Sequence, residues 1–220
     1  MDILRSGTAG HPTIIHGNWA TITGGAYGLM FTTKNYVDVY NLNCIDQTVQ
    51  SVNITGSSYL NFNNVVAESD ANPGVFNDCW KTKNSHHLTF TDCEAGPCLG
   101  ADTCDGFEDW DDEDITYNNC IAHGFQNGAE LLNNGHGFET YAQGVGEICK
   151  RVTYNNCHAY DCRVGFSSEG GPLSAAHEDI KALNCTTATI DLYDASGIDG
   201  ATLYVTADTL TSRNGSVTEL

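Results

Sequence analysis

The sequence predicts an all-β, single-domain solenoid over residues 1–220, a right-handed parallel β-helix of about seven coils. Three observations lead there. A six-residue motif recurs through most of the chain, and each copy alternates apolar with polar residues. The intervals between copies carry neither an amphipathic helix nor a leucine-rich consensus. The copies are "VYNLNC" ending at Cys44, "LNFNNV" at Val65, "LTFTDC" at Cys93, "ITYNNC" at Cys120, "VTYNNC" at Cys157 and "IKALNC" at Cys185. They begin at Val39, Leu60, Leu88, Ile115, Val152 and Ile180, spaced by 21, 28, 27, 37 and 28 residues. A period of this size is the mark of a stacked array, in which each unit buries its apolar face only against its neighbours.

Each part of the motif has a structural reading. The alternation (Leu88, Phe90; Ile115, Tyr117; Val152, Tyr154) is that of a strand with one face buried. The penultimate residue is Asn43, Asn64, Asp92, Asn119, Asn156 or Asn184, a type that tolerates left-handed backbone at a turn. Stacked in register, these side chains predict a ladder; Asn184-Cys185-Thr186 matches a glycosylation acceptor, and the ladder would put its Asn184 out of reach. The last position (Cys44, Val65, Cys93, Cys120, Cys157, Cys185) accepts valine once, so it reads as a small inward slot and a cysteine ladder. In-register Cβ atoms lie nearly 5 Å apart, beyond the roughly 3.8 Å a disulfide favours, so ladder cysteines are expected to be reduced. The off-ladder Cys79, Cys98, Cys104, Cys149 and Cys162 are the candidates for bridges, with Cys98 and Cys104 the nearest pair.

A second signature follows in most units: Gly106-Phe107-Glu108, Gly137-Phe138-Glu139 and Gly165-Phe166-Ser167, with Gly74-Val75-Phe76 and Gly28-Leu29-Met30 as weaker copies. The aromatic is expected to point inward and the next residue outward. The long fourth interval predicts an inserted loop, and in repeat proteins such insertions line the binding face.

Composition narrows the partners. Twenty-eight acidic residues against nine Lys plus Arg give a net charge of −19. A nucleic-acid partner is thereby excluded, since phosphate neutralisation needs a basic face. Anionic membrane surfaces are disfavoured for the same reason, and no apolar run reaches the length of a membrane helix, so no membrane insertion is expected. Cations are the natural partners. The opening "MDILRSGTAG" reads like the interior of a longer secreted chain, which points to a secreted or cell-surface protein.

The densest charge lies in "CDGFEDWDDED", residues 104–114, with seven carboxylates in eleven positions. Together with "GHGFETY", "NNCHAYDC" and the opening "SGTAGHPTIIHG", it resembles the pectate lyases of polysaccharide lyase family nine. Those enzymes carry an Asp-Asp-Gly-aromatic-Asp calcium motif on one coil and an Asn-Gly-Phe-Lys motif on the next. The resemblance implies calcium as cofactor, with Asp105 and Glu108 on two ligand positions, Asp109 flanking them, and Asp78 or Asn77 contributing from the preceding coil. Cys104 stands where the family has its first Asp, and Glu139 where it has its lysine base.

On the residues themselves, outward side chains on adjacent coils stack about 5 Å apart, so Asn77, Glu108 and Glu139 are expected to form one line. Clustered carboxylates supply the oxygen ligands calcium takes. A uronate lyase needs such a cation and a base. The few cationic candidates nearby are Lys81, Lys83, Lys150 and Arg163. Glu108 and Glu139 would also suit the two-carboxylate spacing of retaining glycoside hydrolysis. Trp80, Trp110 and Tyr141 offer aromatic faces for sugars, and His136 faces the same groove. The sequence therefore predicts an extracellular carbohydrate-active β-helix, lyase-like, taking an acidic polysaccharide with calcium. Glu139, Glu108 and Lys81 are its candidate catalytic groups, and Trp110, Tyr141, His136 and Arg163 its candidate substrate contacts. The alternative is a non-catalytic structural or glycan-binding solenoid that self-associates through its open ends.

Overall fold

The computed structural model describes residues 1–69, 78–98, 104–125, 135–170, 177–194, 202–212 and 216–219, and side chains as far as Thr187. All paired strands among them run parallel, apart from one isolated antiparallel bridge between Thr8 and His11, and no helix occurs among the described residues. No helix there is long and apolar enough to cross a membrane.

Three parallel sheets wrap one core. The first sheet stacks Thr13–Thr23, Asn35–Gln47, Ser58–Ser69, His86–Thr91, Glu113–Asn118, Lys150–Asn155 and Lys181–Leu183. In its three leading strands the chain continues through a single left-handed residue or a bulge into the second sheet. That sheet then takes Glu94–Cys98, Ile121–Phe125, His158–Cys162 and Cys185–Asp194. The third sheet stacks Tyr27–Thr32, Gln50–Thr55, Asp78–Lys83, Phe107–Trp110, His136–Ala142 and Val164–Gly170. The fold is a parallel β-helix, as the recurring motif predicts.

The register carries the repeat. Leu60, Leu88, Ile115 and Val152 are successive partners, and all are buried. The turn residues Asn64, Asp92, Asn119, Asn156 and Asn184 have φ between 51° and 54°. Asn119 Nδ2 donates to Asp92 Oδ1 (3.1 Å) and Asn156 Nδ2 to Asn119 Oδ1 (3.4 Å). This ladder runs along an exposed corner, so Asn184 lies at the surface and the expected shielding is corrected.

The first copy is corrected as well. Val37, not Val39, pairs with Leu60, and Leu42 pairs with Val65. Cys44 consequently leaves the cysteine column and pairs with Ala67, above Ala95, Ala122 and Ala159. The left-handed residue is Asn41 rather than Asn43. A slip of two residues preserves the inward–outward alternation, so alternation alone could not detect it.

Two aromatic columns fill the interior. Phe62, Phe90, Tyr117 and Tyr154 stack at centroid distances of 5.2, 4.6 and 5.1 Å. Trp80, Phe107, Phe138 and Phe166 stack at 5.5, 5.0 and 4.9 Å. The columns meet edge to face, as between Phe107 and Tyr117 (5.2 Å, 69°). Each such pair contributes about 0.5–1.5 kcal/mol beyond its burial. The glycine before each phenylalanine has a steric cause, for a Cβ on Gly106 would lie 2.3 Å from the Gly137 carbonyl oxygen, and one on Gly137 2.8 Å from that of Gly165.

Cys98 and Cys104 form a disulfide, and Cys93, Cys120, Cys157 and Cys185 are free and buried. Cys79, Cys149 and Cys162 are free too, so of the off-ladder candidates one pair is bridged.

Candidate functional site

The third sheet presents three outward columns. One runs Gln50, Asp78, Asp105, His136, Val164; the next runs Asn53, Lys81, Glu108, Glu139, Ser167; the last runs Thr55, Lys83, Trp110, Tyr141, Glu169. The expected line of Asn77, Glu108 and Glu139 is corrected, because Trp80 pairs with Phe107 and brings Lys81 level with Glu108. Cys79-Trp80-Lys81 is thus this coil's version of Gly-Phe-Glu. Gly74-Val75-Phe76, Asn77 and residues 126–134 of the expected insertion lie outside the described residues.

Asp105, Glu108, Glu139, Asp78, His136 and Glu169 gather here with at most 6% of their surface exposed. Asp105 Oδ1 accepts the backbone N–H groups of Gly135 (2.9 Å) and His136 (2.7 Å). The Lys81 ammonium lies 3.6 Å from Asp78 and directly against Glu108. His136 Nδ1 stands 3.1 Å from Asp105 and 3.4 Å from Glu139, and Nε2 stands 3.4 Å from Glu169. Neither ring nitrogen makes a hydrogen bond. Ser167 Oγ donates to Glu169 Oε1 at 3.0 Å.

Burial dominates the electrostatics. It raises Glu108 well above the ordinary carboxylate range, with the neighbouring charge of Asp78 adding to it, and it raises Asp78 despite Lys81. It carries Glu139 to about 7 against the opposing pull of His136. Burial works against the charged form of Lys81, but Asp78 and Glu108 outweigh it and hold the ammonium protonated. The same contest at His136 is won by Glu139 and Asp105, which raise its pKa well above the usual value.

Asp109, expected to flank the cation ligands, faces the other way. Glu108 points out, so its neighbour points in. Asp109 accepts from Tyr117 Oη (2.6 Å), Tyr154 Oη (3.4 Å) and Thr82 Oγ1 (3.0 Å) inside the core. Thr82 also contacts Asp112, which accepts from the backbone of Ser85 (2.6 Å) and Trp110 (3.0 Å). One hydroxyl proton cannot serve two carboxylates, so one of Asp109 and Asp112 carries its own proton and donates.

The expected sugar platform also changes. Trp80 is a core residue whose Nε1 donates to the Glu94 carbonyl (3.1 Å). Trp110 and Tyr141 do adjoin at the surface (centroids 5.1 Å apart, edge to face), but the Lys83 ammonium sits 3.6 Å above the Trp110 ring. The described part of the insertion, Gln143–Cys149, folds over this edge, with Glu147 accepting Trp110 Nε1 at 2.8 Å. Arg163 sits at the corner between the second and third sheets, its N–H donating to the Phe125 and Gly135 carbonyls (3.0 Å each). Lys150 lies on the first sheet beside Glu178, 3.8 Å away. Glu169 was not foreseen; its register with Tyr141, two residues past Ser167 in the third Gly-Phe copy, is the signal that marks it.

No protein-family profile matches the chain, and no curated protein matches it. Among solved structures, the chain is similar to the pectate lyase Pel9A, with 15% identity and a TM-score of 0.48 over 98% of this chain and 64% of that one. It is also similar to the Agl-KA catalytic domain, with 12% identity and a TM-score of 0.49 over 94% and 47%. The chain therefore spans less than two thirds of either protein's length.

Proposed function

We propose that this protein is an extracellular carbohydrate-active β-helix that takes an acidic polysaccharide along the outer face of the third sheet and cleaves it by β-elimination. The observation that carries this reading is the line of Lys81, Glu108 and Glu139 on three adjacent strands, with Trp110 and Tyr141 one column away. Elimination removes the proton α to a uronate carboxylate and breaks the C4–O bond on the neighbouring carbon. Glu139, poised to about 7, suits the base, and the protonated Lys81 suits the charge partner of the uronate or the donor to the departing oxygen. With a net charge of −19, the protein repels a polyanion unless cations bridge the two. Calcium enters this reading as that bridge, neutralising substrate carboxylates against the outward Asp78 and Glu108. Hydrolysis by the Glu108–Glu139 pair uses the same groups.

A second reading is favoured by the depth of the cluster. Side chains almost wholly buried suit a non-catalytic, cation-stabilised solenoid that binds glycans or assembles end to end. One assay separates the two. Polygalacturonate, alginate and related uronans are incubated with the protein, with calcium or with chelator, and absorbance near 235 nm follows the unsaturated product. Calcium-dependent growth that disappears in Glu139→Gln supports the lyase, whereas a flat trace on every uronan removes it.

A further inference from the structure

We propose that Asp105, His136 and Glu139 form a resident site for a divalent transition metal that accepts nitrogen, zinc being the first candidate. One donor atom from each lies within 4.8 Å of the others, close enough for a single ion. The second, independent observation is the imidazole. His136 is fully buried, it faces two carboxylates through Nδ1, and yet neither ring nitrogen has a hydrogen-bond partner. A buried polar group in a native protein is normally satisfied, and an ion between Nδ1 and the carboxylates satisfies it.

The surroundings fit such a site. Glu169 stands behind Nε2 at 3.4 Å and is itself oriented by Ser167 Oγ, the order of metal, histidine and carboxylate that fixes a ligand's ring and tautomer. Asp105 Oδ1, the oxygen that faces His136 Nδ1, also accepts two backbone N–H groups, which fixes the carboxylate in place beside the imidazole. The donor set decides the metal. Calcium takes oxygen ligands alone, in number, whereas imidazole with carboxylates suits zinc and its neighbours. The adjacent all-oxygen group, Asp78, Asp105 and Glu108, already holds the Lys81 ammonium against two of its members. The geometry thus offers a nitrogen-accepting metal a position on the histidine side of Asp105, apart from the all-oxygen side where Lys81 lies.

The test uses the full chain, freed of metal by chelator, with no sugar present; Glu139 serves as the elimination base only in the metal-free chain, so zinc uptake is read apart from uronan turnover. Titration calorimetry with zinc, manganese and calcium separately is expected to give one zinc per chain, bound at least 100-fold tighter than calcium. His136→Gln abolishes that binding, and Glu169→Gln weakens it by roughly 10–100-fold. Calcium bound as tightly as zinc, no zinc uptake, or full zinc affinity in His136→Gln overturns the proposal. Should His136→Gln fail to fold, X-ray absorption at the zinc edge of the unmodified protein decides: imidazole scattering supports the site and its absence ends it.

Discussion

Two sets of carboxylates from the same eleven residues meet opposite fates. Asp109 and Asp112 turn into the core and are met by hydroxyl and backbone donors from Thr82, Tyr117, Tyr154, Ser85 and Trp110. Asp105 and Glu108 turn outward and face an ammonium, an unbonded imidazole and further carboxylates. Both sets are buried. The difference lies in satisfaction: on the inward side Asp109 completes the hydrogen bonding of two core tyrosines, while the outward carboxylates outnumber the cations beside them. The remaining members of "CDGFEDWDDED" are surface pairs, with Asp111 accepting Ile148 N–H (2.8 Å), and Glu113 and Asp114 holding Arg151.

The largest effect expected from this contrast is on stability. Asp109→Ala strands the hydroxyls of Tyr117 and Tyr154 in an apolar interior, while Thr82 keeps Asp112, and should cost about 3 kcal/mol, read as a lower denaturant midpoint. A loss below about 1 kcal/mol would break the comparison.

The pH dependence comes next. Burial raises Asp109 to about 7 against the hydrogen bonds of Tyr117 and Thr82, so the native state binds this proton more tightly than the unfolded chain does. Its contribution is complete below the unfolded carboxylate range near pH 4 and is lost as pH climbs through about 7. Urea midpoints should therefore fall from pH 5 to pH 8, and the fall should shrink in Asp109→Asn.

The Cys98–Cys104 disulfide joins residues six positions apart in the sequence, just before Asp105. Replacing both cysteines by serine should lower stability by about 2 kcal/mol on loop entropy, measured in non-reducing buffer against the parent protein.

The smallest stability change is expected at Glu108→Gln, within about 1 kcal/mol and of either sign, because it removes one of several buried like charges while Asp78 still pairs Lys81. The same change should abolish uronan turnover. A large loss of stability with activity intact would reverse the roles assigned to the two sets.

Much of this molecule is legible in single residues. The period, the alternation, the left-handed turn residues and the small column of Cys93, Cys120, Cys157 and Cys185 are local properties, since inward or outward orientation follows from position along one strand. Which residues share a column is a different matter, because it depends on how many residues each turn consumes. The two-residue slip that moves Cys44 onto Ala67, and the pairing of Trp80 with Phe107 that puts Lys81 in place of Asn77, left the alternation unchanged and were therefore invisible in it. A stacked solenoid with an acidic coil follows from local pattern alone. Folding in three dimensions settles the rest: Lys81 meets Glu108, and His136 meets Asp105 and Glu169, across coils about 30 residues apart, and Asp109 joins Tyr117, eight residues on, to Tyr154, 45 residues on, through stacking that no local pattern encodes.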